Sequence, residues 1–205
     1  MVAAVLFDMD GTLVESDAAV ARSWSAWARE YGVPAEALDA VAHGVPADGT
    51  IRLLRPDLTG AELDAAAARQ LALQYDDLHD VTALPGAHDL LAALTAAGVP
   101  WAVVTSADRR LARARLAAAG IDPPVLVARD DIARGKPDPE GYRAAATALG
   151  VSPGECLVVE DAEAGLAAGR AAGARTAALR GLDGDVRPAD LTALAGLLGL
   201  TVPAR

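Results

Sequence analysis

Lysine is almost absent from this chain of 205 residues. Of its 18 lysine and arginine side chains, only Lys136 is a lysine, within the segment RGKPDPEGY. A compact ammonium on a flexible stem and a planar guanidinium are not interchangeable at a tight site. The single lysine therefore indicates a position that needs a compact positive charge. The alternative interpretation is a surface lysine with no role in a site.

Cysteine and net positive charge are lacking as well. Cys156 is the only cysteine and lies in an apolar run, which excludes an intrachain disulfide and is typical of a small core residue. The formal net charge is -10, and we see no basic patch. Nucleic acid and anionic membrane surfaces would not be attracted to such a chain, so we expect neither as a partner.

Long apolar runs are also missing. The N-terminal apolar run has no basic region before it and contains two aspartates, so it does not resemble a signal peptide. The longest late uncharged stretch, residues 191–204, is too short to span a bilayer. We therefore expect a cytoplasmic protein.

Strand and helix patterns alternate from about residue 84 onward. Short apolar runs alternate there with Ala/Leu-rich amphipathic segments that end in glycine. This alternation predicts βαβ units, and hence an α/β fold with a parallel sheet between two layers of helices. The predicted strands are residues 3–7, 101–105, 125–127, 156–159 and 176–179.

An inserted domain explains the spacing of the first two strands. About ninety residues separate them, whereas a whole βαβ unit takes about thirty. The intervening sequence has helical patterns throughout, and its Trp24 and Trp27 follow helical spacing that is typical of core residues rather than ligand-binding ones. We predict a core of residues 1–14 and 84–205 and a helical insertion at residues 15–83.

Polar side chains follow the predicted strands, at the edge where an open parallel sheet binds its ligands. For Asp8 and Asp10 alone, an Asx-type turn that closes a strand is the alternative interpretation. The convergence of several strand ends favours a site instead. The residues concerned are Asp8, Asp10, Thr105, Ser106, Lys136, Glu160 and Asp161.

Three of the carboxylates predict a metal site. Asp8 and Asp10 are two residues apart on an extended chain, so their side chains point the same way. Together with Asp161 they form a cluster of hard oxygen ligands suited to Mg²⁺. A cation there would offset the free-energy cost of burying carboxylates.

The same residue types point to phosphoryl transfer. A carboxylate oxygen of Asp8 could attack phosphorus and form an aspartyl-phosphate, while Asp10 protonates the leaving alcohol and later deprotonates water. Gly11 permits close backbone approach. Backbone N–H groups near Gly11, the Thr105 hydroxyl and Lys136 would bind the phosphoryl oxygens.

Four segments, in chain order, are FDMDGTL, VVTS, GKPDP and VVEDAEAGLAAGRAAG. Together they resemble the four motifs of the haloacid dehalogenase superfamily, in that family's order and across the whole chain. The resemblance implies a Rossmann-like core with strand order 3-2-1-4-5, a helical cap and Mg²⁺ as cofactor. It implies that Asp8 is the nucleophile and that Asp10 is the acid/base, with its backbone carbonyl as a metal ligand. Glu160 and Asp161 are implied as the metal-binding pair. The implied phosphate binders are Gly11, Thr105, Ser106 and Lys136.

Three departures narrow the activity that the resemblance implies. Asp10 argues against dehalogenases, which lack the second aspartate, and the lack of a lysine in the insertion argues against phosphonate cleavage. Val20 stands where β-phosphoglucomutases have a histidine, and valine cannot relay a proton. The implied partner is a small phosphorylated sugar or polyol, as in the 2-deoxyglucose-6-phosphate, hexitol and glycerol-phosphate phosphatases. A phosphosugar mutase and a catalytically silent phosphosugar-binding module remain as alternatives.

Substrate selection is expected to depend on the insertion. His43 and Arg52 are our candidates, with a capping histidine and a solvated arginine as the alternative interpretations. For the remaining candidates we favour a structural role; these are His79, His88, Trp101 and Tyr142. We expect the protein to be a monomer.

Overall fold

A computed structural model describes residues 2–39 and 47–201, and a parallel sheet forms the centre of its larger unit. The order in this sheet is β5-β4-β1-β6-β7, which is 3-2-1-4-5 when its own strands are counted along the chain and confirms the prediction. A separate antiparallel pair is formed by β2 and β3. The strands are β1 (Ala4–Phe7), β2 (Val14–Glu15), β3 (Thr82–Ala83), β4 (Trp101–Val104), β5 (Leu126–Val127), β6 (Cys156–Glu160) and β7 (Arg175–Ala178).

Helices connect the strands, and those of the larger unit cover its sheet. Among residues 2–39 and 47–201, no helix has both the length and the apolar character needed to cross a bilayer. The glycine ends predicted beyond residue 84 are observed: one helix ends at Ala172, and Gly173 follows in a left-handed conformation with φ 91°. The helices are α1 (Asp17–Tyr31), α2 (Ala35–Asp39), α3 (Ala47–Leu54), α4 (Ala61–Tyr75), α5 (Ala87–Ala96), α6 (Arg109–Ala118), α7 (Glu140–Ala148), α8 (Glu163–Ala172) and α9 (Leu191–Leu197).

Both faces of the central strand are covered. Ala4 and Leu6 belong to a cluster of buried residues shared with α7 and α8. Val5 and Phe7 point to the opposite face because side chains alternate along a strand, and they are buried as well. This two-sided burial is why the strands of a parallel sheet appear in the sequence as continuous apolar runs.

The chain divides into two units. The larger comprises Met1–Glu15 and Thr82–Arg205, and the smaller comprises Ser16–Val81. In the smaller unit, Trp27 is fully buried, its indole N–H donates to the carbonyl oxygen of Ala66 (2.9 Å), and its ring stacks on Tyr31 at 4.6 Å between centroids. Trp24 is half-buried and meets Trp27 edge-on. The prediction that these tryptophans are core residues is confirmed.

Replacing Trp27 by phenylalanine tests this packing. Trp27→Phe removes the buried hydrogen bond to Ala66 and leaves a cavity, so we expect the free energy of unfolding to fall by about 1–3 kcal/mol. Trp24→Phe, on the same helix but half-buried, is the matched control, with an expected loss below about 1 kcal/mol. Urea denaturation followed by far-ultraviolet circular dichroism measures both, and equal losses would contradict the interpretation.

Candidate active site

The carboxyl ends of β1 and β6 bring three carboxylates together. Phe7 lies opposite Val159, so β1 and β6 end next to each other. The backbone N–H of Asp8 donates to the carbonyl oxygen of Val159 (3.0 Å). One carboxylate oxygen from each of Asp8, Glu160 and Asp161 lies within 4.8 Å of the other two. The structure therefore places these three predicted site residues side by side.

Lys136 supplies a positive charge to this cluster. Its Nζ lies 2.5 Å from Oδ1 of Asp8 and 2.7 Å from Oε1 of Glu160, and it donates to the carbonyl oxygen of Val104 (3.1 Å). Burial lowers the pKa of Lys136, but the charges of Asp8 and Glu160 and the hydrogen bonds to them outweigh burial and raise the pKa above its usual value. The only lysine of the chain is thus a charged site residue and not a surface one.

The Glu160 carboxylate is almost completely buried and makes four hydrogen bonds. Its Oε1 accepts from the Tyr142 hydroxyl (2.6 Å) and from Lys136. Its Oε2 accepts from the backbone N–H groups of Asp161 (3.2 Å) and Ala162 (3.3 Å). Burial raises the pKa of Glu160, and the charge of Lys136 opposes that rise. With both oxygens engaged, Glu160 orients the ammonium and the start of the following loop.

Two glycines leave the space that these carboxylates occupy. A Cβ at Gly11 would lie 2.1 Å from Oδ2 of Asp161, and a Cβ at Gly165 would lie 1.7 Å from Oε1 of Glu160. Gly11 also has a left-handed φ of 77°, and its backbone N–H donates to the carbonyl oxygen of Val14 (2.8 Å). What Gly11 offers the site is therefore space within a tight turn.

Asp161 carries the least compensated charge of the cluster. Burial, with the charges of Asp8 and Glu160, raises the pKa of Asp161 to about 7, although Arg180 and Lys136 oppose the rise. The Nε of Arg180 lies 3.2 Å from Oδ2 of Asp161. Arg180 follows β7 and has a left-handed φ of 52°, which is uncommon for a residue with a side chain.

The chemistry of the donors fits a hard divalent cation such as Mg²⁺. All three side chains offer carboxylate oxygens, the ligand type that Mg²⁺ prefers. The raised pKa of Asp161 indicates negative charge that a cation would relieve. Because the Glu160 oxygens are already engaged in four hydrogen bonds, Asp8 and Asp161 are the better placed ligands.

Asp10 lies beside a buried arginine. Oδ1 of Asp10 is 2.9 Å from Nη1 of Arg115 in α6, and the Arg115 side chain is only 3% exposed, against 28% for Asp10. The backbone of Asp10 forms an isolated bridge with Val14, which closes the turn after β1. Both the backbone and the side chain of Asp10 are thus held in place.

Three of the four predicted phosphate binders line one small cavity, whereas Gly11 is not among its lining residues. Thr105 is buried at the end of β4, where its backbone N–H donates to the carbonyl oxygen of Val127 (3.0 Å) and its hydroxyl accepts from the N–H of Ala107 (3.0 Å). Ser106 is exposed. Thr105, Ser106 and Lys136 all contribute to the lining of the cavity.

Comparison with known proteins gives the family. A family model described as a haloacid dehalogenase-like hydrolase matches residues 2–173. The chain belongs to the haloacid dehalogenase-like hydrolases.

Relatives with known activities are similar over most of this hydrolase. Hexitol phosphatase A of Escherichia coli (strain K12) is 44% identical over 175 residues, which cover 85% of this chain and 81% of that protein. 2-Deoxyglucose-6-phosphate phosphatase 1 of Saccharomyces cerevisiae is 34% identical over 190 residues, with coverage of 83% and 77%. The predicted resemblance to the sugar-phosphatase branch is confirmed, and these relatives confirm the predicted enzyme class, a phosphoric monoester hydrolase.

Solved structures support the fold. The crystal structure of a hydrolase from Pseudomonas syringae superimposes with a TM-score of 0.83 at 27% identity, covering 96% of this chain and 97% of that one. The Rossmann-like doubly wound fold predicted for this haloacid dehalogenase-like hydrolase is thereby confirmed.

The residues predicted to select the substrate lie in or near the smaller unit. His43 falls outside the described residues, and Arg52 is exposed on α3. Their role in selectivity stays a prediction. His79 and His88 are exposed, and Trp101 is buried and donates to the Thr95 hydroxyl (3.3 Å).

Sequence reasoning missed several residues that contact the site of this hydrolase. Tyr142, for which a structural role was favoured, donates its hydroxyl hydrogen to Glu160. The Lys136 ammonium lies over the Tyr142 ring, 5.4 Å from the ring centroid. Arg115 occurs at the spacing of buried residues of α6, and this spacing was the signal that could have revealed it. No comparable signal marked Arg180.

Adding a methyl group at Gly165 tests the role of the Glu160 carboxylate. Gly165→Ala would push that carboxylate from its hydrogen-bond partners, so we expect a loss of about 1–3 kcal/mol in the free energy of unfolding. Gly196→Ala in α9 is the matched control: its Cβ would meet no atom within 4 Å, and we expect a gain of about 0.5–1 kcal/mol. Urea denaturation measures both, and similar gains would refute this role for Gly165.

Chemical labelling tests the state of Lys136. Because the Lys136 side chain is 11% exposed and its ammonium is paired with two carboxylates, we expect amine-reactive reagents to modify Lys136 slowly in the folded protein. The same protein in urea is the control and should be modified readily. Peptide mapping by mass spectrometry measures both rates, and rapid modification without denaturant would argue against the buried ion pair.

Proposed function

We propose that this protein is a Mg²⁺-dependent phosphatase of small phosphorylated sugars or polyols that acts through an aspartyl-phosphate. The main support is the cluster of Asp8, Glu160 and Asp161, of which Asp8 and Glu160 contact the Lys136 ammonium, in a chain whose relatives are phosphatases. We assign Asp8 as the nucleophile because it is the first aspartate of the FDMDGTL motif, directly after β1, where it is 8% exposed.

Asp8 and Asp161 would hold the cation, with the backbone carbonyl of Asp10 as a further ligand. Glu160 would complete the metal-binding group of carboxylates. When bound, Mg²⁺ supplies positive charge that offsets the repulsion between these carboxylates and an incoming phosphate. On the protein side, the Lys136 ammonium and the Thr105 and Ser106 hydroxyls would hold the phosphoryl oxygens, and Gly11 would leave the space for the Asp161 carboxylate. These side chains follow the ends of β1, β4 and β6 or lie in the loop that holds Lys136, so they could reach one phosphate together.

The chain's own carboxylates account for both half-reactions. A carboxylate oxygen of Asp8 forms a bond to phosphorus, the bond from phosphorus to the sugar oxygen breaks, and Asp10 gives that oxygen its proton. Asp10, now ionised, takes a proton from water as the water oxygen bonds to phosphorus. The bond from Asp8 to phosphorus then breaks, which releases inorganic phosphate and restores both side chains.

The substrate class follows from the relatives. One is named a hexitol phosphatase and another a 2-deoxyglucose-6-phosphate phosphatase, so a phosphorylated polyol or sugar is the proposed substrate. We propose the helical residues 15–83 as the cap and residues 1–14 with 84–205 as the catalytic core, with His43 and Arg52 selecting the substrate. Val20 of α1 cannot relay a proton, so a mutase is not proposed.

A panel of phosphate esters tests the function. We expect phosphate release from hexitol phosphates, 2-deoxyglucose 6-phosphate or glycerol phosphate with Mg²⁺, and none with chelator. Asp8→Asn should abolish release, and Asp10→Asn should lower kcat by ~10²- to 10⁴-fold, the usual contribution of a positioned acid/base. The exposed Asp122→Asn is the matched control and should behave as wild type.

Two outcomes would contradict the proposal in different ways. Release that persists in Asp8→Asn would exclude the aspartyl-phosphate route. Tight binding of phosphosugars without release by wild type would favour the silent binding module. Isothermal titration with Mg²⁺ tests the cation site separately, since Asp161→Asn should weaken binding whether or not turnover is measured.

A further inference from the structure

Arg115 is a buried charge that the proposed chemistry does not yet use. It is 3% exposed, whereas Arg110 and Arg113 of the same helix are exposed. A buried guanidinium loses its hydration, which is costly in free energy unless a partner compensates it. The Asp10 carboxylate is such a partner, with Oδ1 2.9 Å from Nη1 of Arg115.

The backbone that presents Arg115 is fixed at its start. The Asp108 carboxylate accepts from the N–H of Leu111 (2.7 Å) and so caps α6, and Asp108 lies three residues after Thr105. The strand before that loop, β4, is the direct neighbour of β1, with Ala102 opposite Leu6. Arg115 and Asp10 are therefore brought together by α6 and by the neighbouring strands β4 and β1.

We propose that Arg115 is a positioning residue, which holds the Asp10 carboxylate in the orientation from which it transfers protons. This inference rests on the proposed function, because that function makes Asp10 the acid/base. Proton transfer requires a donor within hydrogen-bond reach of its acceptor. A misplacement of about 1 Å can cost about 10²-fold in rate, and a planar guanidinium restricts both the distance and the direction of its carboxylate partner.

The two half-reactions depend on Asp10 to different extents. A sugar or polyol oxygen is a poor leaving group and needs the Asp10 proton, whereas p-nitrophenolate leaves phosphorus without one. Hydrolysis of the aspartyl-phosphate needs Asp10 as base whichever substrate formed it. Displacing Asp10 should therefore slow the first turnover of a sugar phosphate, spare the first turnover of p-nitrophenyl phosphate, and slow the later turnovers of both.

Arg115→Met tests this difference, with Arg113→Met as the matched control because it removes the same charge from an exposed position of the same helix. In rapid-quench kinetics with Mg²⁺, Arg115→Met should slow the first turnover of a sugar phosphate by about 10- to 100-fold. With p-nitrophenyl phosphate it should release a burst of p-nitrophenol equal to the enzyme concentration, followed by slow turnover. Arg113→Met should behave as wild type with both substrates.

Equal slowing of the first turnover on both substrates would show a merely structural role and overturn the proposal, as would unchanged kinetics. Arg115→Lys keeps the charge and replaces Arg115→Met in the experiment if Arg115→Met does not fold. We expect the same difference in first turnover between the two substrates, with a smaller loss of rate. Adding Arg115→Lys to Asp10→Asn should cost nothing further, because Arg115 acts through Asp10, and an additive loss would overturn the proposal.

The proposed function and this inference can fail separately. If wild type releases no phosphate from any ester, or if Asp8→Asn is still active, the proposed function fails. If wild type and Asp8→Asn behave as expected and only the Arg115 variants do not, the positioning role alone is wrong.

Discussion

The ammonium of Lys136, shared between Asp8 and Glu160, is the interaction on which the site depends. Two carboxylates buried this close together would repel each other and favour protonation without a cation between them. Tyr142 and two backbone N–H groups fix the Glu160 carboxylate, and Gly165 leaves room for that carboxylate. The position of the Lys136 ammonium is therefore set by a carboxylate that is itself held in place. A planar guanidinium would need more space there, which agrees with the retention of a single lysine in an arginine-rich chain.

The Lys136 ammonium does not contact Asp161. Lys136 contacts Asp8 and Glu160, whereas Asp161 keeps a pKa raised to about 7 beside the exposed Arg180. The cluster thus has one side that is compensated internally and one side that favours an additional cation. This asymmetry, and not the number of acidic groups, makes the site suited to Mg²⁺ together with a phosphate.

The sheet and the motif residues could be predicted because their signals are local. Parallel strands buried on both faces appear as apolar runs, and the carboxyl ends of such strands meet at one edge, so the approach of Asp8 to Asp161 followed from strand assignment alone. Contacts of Tyr142 and Arg115 could not be predicted, since each depends on an element distant in the sequence. Arg115 has the spacing of a buried residue in α6, but spacing alone does not identify the carboxylate that it meets.

Three aspartates of the site each pair with a different cation, and the exposure of these cations differs. The pairs are Asp8 with Lys136, Asp10 with Arg115, and Asp161 with Arg180. The side chains of the cations are 11%, 3% and 46% exposed in that order. An exposed guanidinium can move into water at little cost when its carboxylate binds a divalent cation, whereas a buried one cannot leave its partner without losing compensation for its charge. The burial of each cation therefore matches the proposed task of its aspartate: a fixed orientation for the proton-transferring Asp10, and accessibility for the metal-binding Asp161.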